Sequence, residues 1–420
     1  MKTILTILIS SFFLATSCSK EETPESQIDS NGVFVSLPFL WKKSLHYGQP
    51  VSNSYTNSPI YYNGNIVINT TNSGTNRKLT MINSNNGETI WDWDDRYQPA
   101  TEYIDISYFH QNNNLLTWQT GKRSYCVNLD NGTTHWKVMR NSYFDVRIQP
   151  YQNQDYFTYS TVVNSGGNKE QIAYKGNIQT GLQTEFLRAN LSSTFVSPDD
   201  YAGGIIYVNK TPTNQNLLLI TYYEPLPNWY FNTFYGLYNN ETGDWIWERK
   251  LLATPQQSSG VNTPPIISGN KVYAAISNSI VCHDLSNGNK LWQKDFNGDF
   301  MFSGFIIEDN KIIANCEDTY TYCLNPENGS ELWKVQSAGT SSRMSYLNGI
   351  VYFAGGSTEK LHAIDINTGK TVWKIDVNKL GEQGGAFKRN GIYVLPALNG
   401  KPLRVVALSN INAYCFEAYQ

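Results

Sequence analysis

At 420 residues the chain is longer than a single hydrophobic core usually grows, so it holds several cores or a repeat. Aromatic residues make up 14% and charged residues only 16%, with 31 glycines, a turn-rich and aromatic composition that suits an all-β protein. The net charge of −3 and the lack of any Lys/Arg run speak against nucleic acid, and after the N-terminus no stretch of eighteen apolar residues could cross a membrane as a helix.

The chain opens with "MKTILTILISSFFLATSCSKEE". One Lys, an apolar run from Ile4 to Ala15 and small residues before Cys18 have the shape of a secretory signal, which stands apart from the fold. The "ATSC" ending resembles a bacterial lipobox, which implies that Cys18 becomes the lipidated first residue of the mature protein. Lys20, Glu21 and Glu22 follow directly, and this run resembles the surface-export signal of lipoproteins of the Bacteroidetes. The bland alternative is a solvated charged tether. The expected organisation is a signal peptide at 1–18, a flexible linker at 19–32 carrying the export-like run, and one folded domain at 33–420.

Within that domain a Gly is followed four residues later by Trp, again and again. The pairs are Gly87 and Trp91, Gly132 and Trp136, Gly243 and Trp247, Gly288 and Trp292, Gly329 and Trp333, and Gly369 and Trp373. A further copy keeps Gly181 but has Glu185 at the Trp position. Spacings run from 40 to 49 residues, except for 62 between Gly181 and Gly243. Such a period has to be read before any local motif. Each copy is a strand, a tight turn in which Gly supplies positive φ, and a second strand. An aromatic at one fixed place in every copy suits packing between neighbouring sheets, so the Trp series reads as structural.

Between these units lies a second pattern, a β-branched and aromatic strand–turn–strand, found eight times from "NSPIYYNGNIVINT" (57–70) to "GGAFKRNGIYVLPA" (384–397). Two strands from each pattern make four antiparallel strands per repeat, the signature of a β-propeller blade. The expected fold is an eight-bladed β-propeller, with seven blades as the alternative. For the last blade, "RVVALS" (404–409) is expected as third strand, with the fourth taken from "FLWKKSL", where Trp41 belongs to the same series. The rival assigns the fourth strand to "INAYCFEA" (411–418). Closing the ring with strands from both ends removes open sheet edges.

"LHAIDINTGKTVWKIDV" and "IVCHDLSNGNKLWQKDF" resemble the repeat of pyrroloquinoline-quinone (PQQ)-like propellers: Ala363, Asp365, Gly369 and Trp373 fit it, while Cys282 and Cys323 stand in for the Ala in two other copies. The resemblance spans roughly 33–420 and is strongest from 240 onward. It implies one of three things: a quinoprotein dehydrogenase with PQQ and calcium, a BamB-type lipoprotein that helps to fold outer-membrane barrels, or a secreted or surface propeller that binds partners. The dehydrogenases carry a Cys-Cys dipeptide against the quinone; this chain has none, and no C-x-x-C-H haem site.

Other candidates weigh less. Cys316 and Cys323 in "CEDTYTYC" read as two arms of a hairpin on one face, open to a disulfide or to two buried thiols. "WDWDD" and "DFNGD" offer alternating acids but no complete calcium loop, and read as solvated faces. The long Gly181–Gly243 spacing holds an aromatic insertion, about 210–234, with Tyr222, Tyr223, Trp229, Tyr230 and Phe231. It is a candidate binding loop, suited to a glycan or a protein hot spot, or else a lengthening of the blade's own strands. The resulting expectation is a non-enzymatic scaffold without cofactor or metal, lipid-anchored at the outer membrane. It would be surface-exposed and bind a protein partner or glycan. The alternatives are a BamB-like scaffold facing the periplasm and, last, a PQQ-dependent enzyme.

Overall fold

In the computed structural model all seven repeat glycines take φ between +69° and +81°. The structure describes residues 23–46, 59–71, 77–98, 104, 109–120, 122–139, 156–165, 168–190, 204–212, 214, 216–225, 231–253, 263–300, 304–397 and 400–420. In each repeat the Gly N–H donates to the carbonyl four residues back, as from Gly369 to Asp365 at 2.8 Å and from Gly329 to Asn325 at 2.8 Å. The residue at that carbonyl is always Asn or Asp, and its side chain accepts from the N–H two residues on. The acid of the repeat is therefore a turn former, not a ligand.

These turns join the third and fourth strands of successive antiparallel sheets. Eight sheets form in chain order. The fifth is typical, with strands Ile266–Ser268, Lys271–Ile276, Ser279–Asp284 and Lys290–Asp295. The third contributes three strands among the described residues, Tyr156–Ser165, Asn168–Asn177 and Gln183–Asn190. In the eighth, Phe387–Leu395, Arg404–Ser409 and Asn412–Glu417 come from the C-terminal end and Trp41–Ser44 from the front of the chain.

Closure thus takes its fourth strand from the N-terminal side, as expected, with Trp41 directly opposite Cys415. Two details differ from expectation. "RVVALS" is the second strand and "NAYCFE" the third, because 387–395 runs on as one strand. Asn390-Gly391 takes no turn. Gly391 has no positive φ, and a Cβ there would lie 2.5 Å from Leu408 Cβ, so the glycine serves a close strand approach across a register shift.

The repeat Trp ties each sheet to the next. The Trp333 indole donates to Ile366 O at 2.9 Å, and its ring lies flat over Gly369, where a Cβ would come within 2.9 Å of Cδ2. The same pair of contacts joins Trp41 to Ser84 and Gly87, Trp91 to Leu129 and Gly132, Trp136 to Ile178 and Gly181, Trp247 to Leu285 and Gly288, and Trp292 to Pro326 and Gly329. The acceptor is always the carbonyl three residues before the Gly. Each such bond contributes about 1 kcal/mol net, beyond the packing of the ring. Two junctions lack it. Glu185 leaves Gly243 with only Tyr238 Oη nearby, at 3.7 Å, and Trp373 instead packs into the core shared by the seventh and eighth sheets. The linked sheets form a propeller, and their number is consistent with eight blades.

The cysteines belong to the same device. Cys126, Cys282, Cys323 and Cys415 stand directly opposite Trp136, Trp292, Trp333 and Trp41, where Ala363 stands opposite Trp373. A small side chain there leaves room for the indole. All five described cysteines are buried and free. Burial pushes the Cys323 thiol up to about 11 and those of Cys282, Cys316 and Cys415 to about 12.

The expectation that Cys316 and Cys323 share a face is corrected. Cys316 packs with Phe296, Phe300 and Tyr322, and Cys323 with Met344, Val351 and Phe353 on the other side of the sixth sheet. The hairpin register sets Cys323 opposite Ile313 and Tyr322 opposite Ala314, so the odd offset between the cysteines places them on opposite faces.

Before Trp41 the chain adds two strands to the seventh sheet, Gln27–Ile28 and Phe34–Ser36, joined by a turn in which Asp29 Oδ1 accepts from Asn31 and Val33. Phe34–Ser36 runs parallel to Thr371–Ile375, with Phe34 opposite Trp373.

Candidate binding surfaces

A four-stranded meander sends its second–third turn, and the connection to the next sheet, to one end. Its first–second and third–fourth turns go to the other. At the second–third end, hairpins of ordinary length are set by strands of six residues, as in the fifth sheet. The third and fourth sheets depart from this. Tyr156–Ser165 pairs with Asn168–Asn177 over ten residues each, and Leu217–Pro225 with Phe231–Asn239 over nine. Three or four extra residues per strand carry two neighbouring hairpins about 10–13 Å further out.

The aromatic insertion lies on the second of these. Tyr222 pairs with Phe234, Tyr223 with Thr233, and Pro225 with Phe231, so Tyr222, Tyr223 and Phe231 are strand residues of the lengthened hairpin. Trp229 and Tyr230 lie outside the described residues, as do Cys18, Lys20, Glu21 and Glu22. Of the structural series, Trp41, Trp247 and Trp373 are buried, while Trp91, Trp136, Trp292 and Trp333 are half-buried between sheets.

The same end carries a polar network that joins the loops. Glu382, almost fully buried in the connection from the seventh to the eighth sheet, accepts through Oε2 from Ser409 Oγ at 2.6 Å, Asn412 Nδ2 at 2.9 Å and Tyr414 Oη at 2.9 Å. In the sixth sheet Glu317 accepts from Thr340 Oγ1 at 2.7 Å and Asp318 from Tyr322 Oη at 2.6 Å. These carboxylates hold loops. Among the described residues no three His, Cys, Asp or Glu are grouped to hold a metal ion. Asp92 and Asp94 stand exposed beside Trp91 and Trp93, bound to Thr80 and Arg96 respectively.

At the opposite end, a cavity of about 480 Å³ opens between the turns of the fifth and sixth sheets. Lys271, Tyr273, Asp284, Glu308, Asp309 and Glu327 line it. Lys271 Nζ meets Glu327 Oε2 at 2.5 Å, and the Tyr273 hydroxyl donates to Pro326 O at 3.2 Å. Burial, then the neighbouring Asp309 charge, raises the Glu308 carboxyl above its ordinary range, while bonds from Ser286 lower that of Asp284. Asp284 and Asp309 are engaged too, by Ser286 and by the Tyr346 hydroxyl respectively.

A family described as outer membrane protein assembly factor BamB matches residues 236–334 and 317–410. Over residues 236–410 the repeats are similar to those of that family. The BamB of Kangiella koreensis is 26% identical over 160 residues, which cover 35% of this chain and 39% of that protein. The match thus spans about two fifths of the curated relatives' length. Among solved structures, BamB from Moraxella catarrhalis superposes with a TM-score of 0.55 at 12% identity, covering 88% of this chain and 100% of that one. A quinohemoprotein alcohol dehydrogenase from Pseudomonas putida HK5 superposes with a TM-score of 0.60 at 11% identity, covering 91% and 77%. At such identities these structures speak for the fold alone.

Four of the described cysteines lie opposite repeat Trp residues, and Asp365 and Glu382 are engaged in a turn and a loop contact. Sequence reasoning missed the lengthened hairpin of the third sheet. The extra length there lies at 162–171, in "VVNSGGNKEQ", and the glycines at its tip were the available signal.

Proposed function

We propose that this protein is a non-enzymatic scaffold of the outer membrane that works in the assembly of membrane barrels, as the name of its BamB relatives suggests. The match of residues 236–410 to that family carries the reading. The architecture supports it. Sheets tied at six of their eight junctions by indole contacts make a stiff frame, and two long hairpins stand out from one end as ready contact elements. The lipobox-like "ATSC" would tether the protein at Cys18, and the segment that follows leads to the rim of the seventh sheet. Deleting the protein in its native host should lower the outer-membrane content of β-barrel proteins, with restoration by the intact chain but not by Cys18→Ala. Unchanged barrel levels would contradict the proposal.

A second reading, a surface-exposed propeller that binds a glycan or another surface protein, is favoured by Lys20, Glu21 and Glu22 and by the aromatic hairpin. Protease shaving of intact cells separates the two. Cleavage that is lost when all three residues become Ala supports the surface reading, and protection of both forms supports the inward-facing one.

A further inference from the structure

The chain joins the propeller at one particular end. Thr371–Ile375 runs from the repeat turn at Gly369 to the connection that begins at Asp376. Phe34–Ser36 runs parallel to it, with Phe34 opposite Trp373 and Val35 O accepting from Asp376 N at 3.1 Å. Gln27–Ile28 lies antiparallel to that strand, so Gln27 stands level with Ser36 and the Asp29–Val33 turn points back toward the repeat turns. In the connection to the eighth sheet, Lys379 Nζ donates to Gln27 Oε1 at 2.9 Å. Residues before Gln27 therefore reach the seventh sheet from its connection end.

That is the end from which the two long hairpins stand. Their outermost pairs are Ser165 with Asn168 in the third sheet and Pro225 with Phe231 in the fourth. Among the described residues, the strands of the other second–third hairpins are only five to seven residues long. In a ring of eight, the third sheet stands across from the seventh and the fourth across from the eighth. The entering chain and the long hairpins thus share one end of the ring and lie on opposite sides of it.

Nine residues carry the chain from Cys18 to Gln27, and fully extended they span about 30 Å. With the repeat-turn end set on a bilayer, Gln27 would stand a strand's length above it, about 20 Å before the turns are counted. The tether would then run nearly straight along the rim. With the hairpin end toward the bilayer it has slack.

We propose that the end of the propeller carrying the two long hairpins faces the lipid bilayer, held on one side by the tether from Cys18 and resting on the other through those hairpins. Contact is with the headgroup region. Tyr222, Tyr223 and Phe231 lie in the outer part of the fourth-sheet hairpin, and aromatic residues favour that depth. The inference rests on Cys18 being lipidated, and it is the same on either side of the outer membrane. The cavity between the fifth and sixth sheets then faces away from the lipid.

The test uses the lipidated protein, reconstituted into phosphatidylethanolamine–phosphatidylglycerol vesicles that carry a rhodamine lipid as energy acceptor. A donor dye is placed on one added cysteine at a time; the five described native thiols are buried. Glu359→Cys marks the hairpin end of the seventh sheet, Thr368→Cys its repeat-turn end, and Ser165→Cys the long hairpin of the third sheet. Transfer from Glu359→Cys and Ser165→Cys should exceed that from Thr368→Cys about threefold or more, given the ~20 Å between the two ends. Flotation with the vesicles, lost in Cys18→Ala, checks the anchor by itself. Protein that does not float contradicts the anchor, and the orientation with it. Floating protein with equal or greater transfer from Thr368→Cys overturns the orientation alone. Transfer from Ser165→Cys as weak as that from Thr368→Cys overturns the contact with lipid and gives the hairpins to a protein partner.

Discussion

Replacing Gly369 by Ala should cost far more than replacing Gly243 by Ala, although both glycines sit at similar φ, +71° and +81°. The shared part is the left-handed backbone, about 1–2 kcal/mol for a residue with a Cβ. At Gly243 that is nearly the whole cost, since the nearest atom to the new Cβ is Tyr238 Oη at 3.7 Å. At Gly369 the Cβ would stand 2.9 Å from Trp333 Cδ2 and 3.1 Å from Cε3 and Cγ. Carbon atoms prefer about 3.5–4.0 Å, so the indole must move and strain its 2.9 Å bond to Ile366 O. Overpacking of this kind adds about 1–3 kcal/mol. Urea unfolding followed by far-UV circular dichroism should therefore give Gly369→Ala the lower midpoint. In a Trp333→Ala background the excess should vanish, leaving only the backbone part. Equal midpoints for the two glycine variants, or an excess that survives removal of the indole, would refute the stacking account.

Acid should weaken the fold through two histidines. Burial first, then the nearby Lys290 and Lys250, lowers the His283 pKa from 6.5 to about 4; burial, with Lys374 and Lys360, lowers that of His362 to about 3. Both rings stay neutral in the fold while the unfolded chain takes up protons. Stability should thus hold above pH ~6.5 and fall below it, by about 1.4 kcal/mol per pH unit for each ring. His362→Phe should reduce that slope in urea titrations at pH 7, 6 and 5. Glu382→Ala leaves Ser409, Asn412 and Tyr414 without their shared acceptor and should cost about 2–4 kcal/mol; Glu382→Gln, which keeps an acceptor oxygen, should cost less by the same assay. In protein lacking residues 1–18, a thiol reagent at pH 8 should find no reactive cysteine in the folded state and five after denaturation; three would indicate a Cys316–Cys323 disulfide.

Much of this was legible in the sequence because the repeat is local. Gly at a positive-φ turn and Trp four residues after it are fixed by short-range geometry; the Gly holds in all seven copies and the Trp in six. The front strand with Trp41 was readable for the same reason, as an orphan copy of the series. What depends on register was not. Cys316 and Cys323 needed the hairpin pairing to reveal opposite faces, and Gly391 reads as a turn until Leu408 is seen against it. Nor does anything in "VFVSL" announce that it covers Trp373, since that contact joins residues more than three hundred positions apart. The aromatic insertion was visible as excess length, and the pairing of Tyr222 with Phe234 shows that it lengthens a hairpin.

This propeller is proposed to serve as a scaffold for outer-membrane barrel assembly. Its most direct test is crosslinking in the native host, followed by affinity purification of the intact, tagged protein from solubilised outer membranes. The barrel-assembly membrane protein should be recovered in near-stoichiometric amount. Recovery of the propeller without it, from membranes in which that protein is abundant, would rule out this role.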